Sequence, residues 1–182
     1  MPLPNLNAAQ IEGIVMQVAE YIAQQRQTYR PEATPLDNNQ KALMASFFPQ
    51  SVLESARVAV LTGQQVGNPP FYDDLVGMGF PPGSLPDFSV MGAITFVDTI
   101  VSHGPISTQT LFHELVHLVQ YEKLGLAEFA AKYVKGFLMG ASYEGIPLEQ
   151  NAYELDGRFA AAPADAFSVA DEVQDWIEFG LF

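Results

Sequence analysis

The sequence predicts an α+β fold, mainly helical with a small sheet. Three observations carry this: apolar residues recur at helical spacing in several stretches, two short runs are rich in β-branched residues, and Pro and Gly cluster between elements. The length of 182 residues fits a single domain spanning 1–182. Within it, 1–90 holds N-terminal helices, a strand and a long loop, 91–162 the core, and 163–182 a C-terminal helix. An apolar content of 48% is enough to pack an interior and too high for a disordered chain.

From Asn7 to Arg30, Ile11, Ile14, Val15, Val18 and Ile22 share one helical face, and Pro31 ends the run. Asp37 is a good cap for a second helix that reaches Phe48 before Pro49, and Ser51 to Glu54 adds a further turn. Arg57 to Leu61 reads as a strand. Gln64 to Phe88, with Pro69-Pro70 and Pro81-Pro82-Gly83, leaves no room for a regular element. Its Phe71, Tyr72, Leu75 and Phe80 predict that it packs against something, as a cover for a site would. Gly92 to Ile100 is the best strand. Ser107 caps a helix through Lys123, Gly125 follows its end, and Ala127 to Met139 is helical again. Leu148 to Ala162 and Ser168 to Phe179 complete the helices.

A formal charge of −13 repels phosphate backbones and anionic lipid, so neither nucleic acid nor membrane is an expected partner. The absence of cysteine excludes disulfides, thiolate ligands and a thiol nucleophile, and leaves His and carboxylates for any metal site. Met1 to Gln10 has neither a basic nor an apolar region of a signal peptide, so the expectation is a soluble, cytoplasmic protein. The apolar C-terminus, with Trp176, Ile177, Phe179, Leu181 and Phe182, packs on the core or docks a protein partner.

The chemistry sits in His113-Glu114-Leu115-Val116-His117. Residues four apart share one helical face, so both imidazoles can reach one ion at about 2.0–2.1 Å. Glu114 points to one side, where its carboxylate can take a proton from a water without binding the metal. Leu111, Phe112, Leu115, Val116, Leu118 and Val119 make this helix buried, and buried histidines need polar compensation, which zinc supplies. A catalytic zinc commonly has three protein ligands. Glu149 is the first choice for the third, Glu154 the second, and His103 is a ligand or a loop residue at the site's mouth.

With this motif, the strand Ala93 to Val97 before it, and Pro147-Leu-Glu-Gln-Asn-Ala-Tyr153 after it, the stretch from Gly92 to about Arg158 resembles the gluzincin type of zincin-like metallopeptidase. Gln120 to Gly125 contains no histidine, so the metzincin continuation is absent. The thermolysin-like pattern places an aspartate where Tyr153 stands, leaving Asp156, Glu154 and Asp98 to orient a metal-bound histidine. The resemblance implies a zinc-dependent peptidase with His113, His117 and Glu149 as ligands and Glu114 as general base. It further implies that Ala93, Ile94, Thr95 and Phe96 form an edge strand to which a peptide or protein substrate adds. Tyr143 and His103 are the candidate oxyanion donors. The alternative reading is a non-catalytic domain of the same fold that keeps zinc for stability and acts as a binding module.

Overall fold

The computed structural model describes residues 3–182, so Met1 and Pro2 of the stretch read for a leader lie outside it. Helix α1 (Ala8–Tyr29) starts at Asn7, whose side chain accepts from the Gln10 N–H while Gln10 returns the bond to Asn7. Strand β1 (Thr34–Pro35) was not expected from the sequence, and its proline sits on the outer edge of a sheet, where no ladder donor is needed. Helix α2 (Asn38–Met44) is capped by Asp37 as expected but stops before Phe48. The earlier exit lets Phe47 and Phe48 both turn inward, where Phe47 meets the rings of Phe112, Phe159 and Phe167. Helix α3 (Gln50–Ser55) and strand β2 (Arg57–Val60) follow.

The proline-rich segment does contain a regular element, contrary to the sequence expectation. Helix α4 (Tyr72–Gly77) begins just after Pro69 and Pro70, with Asp73 and Asp74 in its first turn and Leu75 buried beneath it. Side chains tie the segment down. The Tyr21 hydroxyl donates to Gly67 O at 2.9 Å, the Tyr72 hydroxyl to Pro86 O at 3.0 Å, and the Val66 N–H to His103 Nε2 at 3.0 Å.

Gly92 to Ile100 is not one strand but a hairpin of β3 (Ala93–Phe96) and β4 (Thr99–Ser102). Val97 takes the left-handed region with φ of 64°, an uncommon state for a β-branched residue. The turn is pinned from α1, because the Asp98 carboxylate accepts from Arg26 at 2.7 and 2.8 Å and lies 2.9 Å from Arg30. Partial burial opposes the charge on Asp98, yet the two guanidiniums hold its carboxyl below the ordinary range. This engagement removes Asp98 from the candidates for orienting a metal ligand.

The sheet has the order β1-β2-β4-β3, with β2 and β4 parallel and the outer pairs antiparallel, so β3 is an edge as expected. Its strands alternate between two cores. Val58 and Ile100 face a core with α2, α3, α6 (Pro147–Ala161) and α7 (Val169–Glu178), while Ala59 and Val101 face one built with α1. Helix α5 (Thr108–Gly140) serves both, and Gly125, at φ 73° and ψ 164°, breaks it. Full burial of Phe112 and Leu115 in the first core contributes about 1.5–3 kcal/mol each. Beyond the break, α5 packs closely on the start of α6. A Cβ added at Gly136 would stand 2.6 Å from Pro147 Cδ.

At the C-terminus Ile177 and Phe182 pack on the cores, whereas Phe179 and Leu181 are exposed. Among the described residues no helix is long and apolar enough to cross a membrane.

Candidate metal centre

Ser107 starts α5 by accepting from the Thr110 N–H, which sets the phase that carries His113 and His117 on one face. Pro147 opens α6, a position where the missing N–H costs nothing, and Glu149 follows in the first turn, where the helix dipole favours a carboxylate. The two helices bring His113, His117 and Glu149 together, all buried, as a group that could hold a metal ion. Glu154 faces solvent, so Glu149 is the carboxylate that the structure groups with the two histidines.

The three acceptor atoms form a nearly regular triangle. His113 Nε2 and His117 Nε2 are 3.2 Å apart, and Glu149 Oε2 lies 3.5 Å from each. Tetrahedral bonds of about 2.0–2.1 Å place ligand atoms about 3.3–3.4 Å from one another. The triangle therefore fits such an ion with little movement.

The surroundings aim these atoms. His113 Nδ1 donates to Asp156 Oδ2 at 2.7 Å, so Asp156 is the orienting carboxylate among the three candidates. Asp156 is two turns beyond Glu149 on α6 and is itself held by Gln109 at 3.2 Å. His117 Nδ1 donates to Gln120 Oε1 at 2.8 Å. The amide of Gln120 is fixed in that sense because its Nε2 donates to Leu148 O and Asn151 Oδ1, both at 2.9 Å. Both rings thus present Nε2 lone pairs to the same point, beside a carboxylate oxygen. Three acceptors this close repel unless a cation or a proton lies between them.

The protonation equilibria express that demand. Burial opposes a charge on His113, but the hydrogen bonds to Asp156 and Glu149 and the Glu114 charge outweigh it and push its pKa up to about 10. His117 moves up as well, with burial again opposed by the charge and hydrogen bond of Glu149. Glu149 is held far below the usual carboxylate range, since the two histidines overcome its burial.

Glu114 is buried beside the cluster without being part of it. The Thr95 hydroxyl lies 2.7 Å from Glu114 Oε2 and donates to it. Thr95 and its neighbours Ala93, Ile94 and Phe96 line a cavity of about 980 Å³, its open mouth included, whose walls also contain Glu114, His117 and Glu149. Tyr143 reaches the site too, and its hydroxyl donates to Glu149 Oε2 at 2.7 Å. Burial and the negative charge of Glu149 raise its pKa far above the ordinary range, so it stays a donor. His103 does not join the cluster: its Nε2 accepts from Val66, and it serves to anchor the long segment.

Sequence reasoning missed Gln120 and Thr95. A glutamine three residues after His117, on a helix whose other positions from Leu111 to Val119 are apolar apart from the motif itself, was the available signal for the first, whereas nothing local distinguished Thr95 within its strand. Replacing Gln120 by Leu is expected to weaken metal affinity about tenfold to hundredfold, the usual cost of losing a partner that orients a ligand. Competition against a chromogenic chelator measures it, and an unchanged affinity would remove Gln120 from the site.

Comparison with protein-family models, with curated proteins and with solved structures finds no match to this chain.

Proposed function

We propose that this chain is a zinc-dependent hydrolase of amide bonds, a zincin-like metallopeptidase of the gluzincin type, with His113, His117 and Glu149 as the metal ligands. The observation that carries this reading is the triangle of three acceptor atoms opening on a cavity that Glu114 also lines. Structural zinc sites are closed by four protein ligands, whereas catalytic ones have three and an open position. Bound there, zinc would supply a Lewis acid and a hydroxide source at neutral pH.

The chain's own groups do the rest. Glu114, oriented by Thr95, accepts the proton of the attacking water and delivers it to the departing amine. Edge strand β3 positions the substrate. Because His103 N–H bonds to Gly92 O and antiparallel bonding alternates, Ala93 directs its N–H and C=O away from β4, and Thr95 does the same with its N–H. An extended peptide can add at these groups. Tyr143 holds Glu149 in the resting site, and as an oxyanion donor its hydroxyl would exchange Glu149 for the substrate oxygen.

The test is to load the protein with zinc, confirm one equivalent bound, and incubate it with a peptide library read by mass spectrometry. Cleavage that stops on chelation and returns with zinc is the expected result. A fully loaded protein that cleaves nothing in the library would point instead to zinc held for stability alone.

A further inference from the structure

On the reading of the site as hydrolytic, we propose that the cavity beside the metal ligands takes the hydrocarbon chain of an N-acylated peptide, so that the scissile amide joins a long acyl group to the peptide lying on β3. The walls come from three directions: Ile14 and Val18 on α1, Phe71 and Leu75 on the long segment, and Val134 and Phe137 on α5. No lysine or arginine lines it, and its carboxylates and imidazole, Glu114, Glu149 and His117, gather at the metal end. A space that is apolar along its length and polar at one end matches an amphiphile.

The polar groups and the extent of the walls favour an acyl chain over more peptide. Backbone amides placed in an apolar cavity need partners, and unpaired ones cost kcal/mol each. Here four of the five wall tyrosines already engage their hydroxyls within the protein, Tyr21 with Gly67 O, Tyr72 with Pro86 O, Tyr121 with Thr95 O and Tyr143 with Glu149, which leaves the Tyr133 hydroxyl as the one tyrosine group without such a bond among the described residues. The free backbone groups of Ala93 and Thr95 lie on the β3 edge alone, which is where the peptide portion belongs. The walls drawn from α1, the long segment and α5 also extend well beyond the metal ligands, farther than one amino-acid side chain needs.

The reaction balances as hydrolysis. The water oxygen bonds to the acyl carbon, the C–N bond breaks with its electron pair on nitrogen, and that nitrogen takes the proton held by Glu114. The second proton of the water passes from the new carboxyl group to the amine, so the products are a fatty carboxylate and a peptide ammonium.

The test uses zinc-loaded Glu114→Gln full-length protein with N-phenyl-1-naphthylamine, an uncharged dye that fluoresces in apolar surroundings. N-acyl glycinamides of increasing chain length are expected to displace it, each added methylene tightening binding about threefold to fourfold until the cavity is full. Val18→Trp and, separately, Phe88→Trp should bring the plateau to shorter chains, with unchanged circular dichroism showing that the fold is kept. Affinity independent of chain length, or unacylated apolar peptides displacing the dye equally well, would each overturn the proposal. Because binding is read without turnover, a protein that cleaves ordinary peptides yet fails these displacements loses this inference and keeps the hydrolytic reading.

Discussion

Replacing Glu114 by Gln is expected to lower the hydrolytic rate by about 10²–10⁴-fold, the usual contribution of a positioned general base, while one metal ion remains bound. The substitution keeps the shape of the side chain and removes only its ability to take a proton. Glu114 is not among the three clustered ligands, so metal stoichiometry should not change. The Thr95 hydroxyl can still donate to the amide oxygen, which keeps the side chain in place. Steady-state kinetics on a cleaved peptide, with metal analysis of the same preparations, reads both quantities. A variant that loses its metal would show Glu114 to be structural, and one that keeps full activity would assign the base elsewhere.

The second large effect is in pH. Metal binding requires a neutral imidazole, so it displaces the proton that His113 otherwise holds up to a pKa of about 10. Between the ordinary value of 6.5 and about 10, metal affinity is expected to rise at least about tenfold per pH unit for the proton displaced from His113, and more steeply where the raised His117 also gives one up. Stability of the metal-free protein runs the opposite way. A histidine whose folded pKa is raised stabilises the fold fully below its unfolded value, and that contribution disappears as the pH climbs through the folded value. Melting curves with and without zinc should therefore diverge as pH rises across this window. Calorimetry in buffers of different ionisation enthalpy counts the protons released, and a pH-independent affinity would show that His113 is already neutral in the metal-free site.

The motif helix was legible because its signals are local. Ser107, the two histidines one turn apart and the apolar run around them specify a capped, buried helix before any tertiary contact is considered. Glu149 was singled out on its helix, Leu148 to Ala162, and by the resemblance of Pro147 to Tyr153 to a third-ligand helix in which an alanine allows close packing, and Ala152 is fully buried. The hairpin was not. Gly92 to Ile100 is uniformly strand-forming, and its turn uses Val97 in a left-handed state, stabilised by Arg26 and Arg30 reaching Asp98 from α1. A turn held by residues some seventy positions away leaves no trace in its own composition. The same holds for α4, where Pro and Gly at both ends concealed six residues that satisfy their own backbone bonds. Orientation of His117 by Gln120 was hidden because it depends on Leu148 and Asn151, which only the docking of α6 supplies.

The close seat of Gly136 against Pro147 makes the metal geometry sensitive to a position remote from it. Glu149 lies two residues past that proline, so the ligand oxygen travels with whatever α5 pushes. A single methyl at 136 would fall short of an ordinary 3.4 Å contact by most of an ångström, and metal–ligand distances tolerate only about 0.2 Å. Hydrogen there acts as a spacer of minimum thickness, and the tuning of the third ligand is written partly in a residue that bears no functional group.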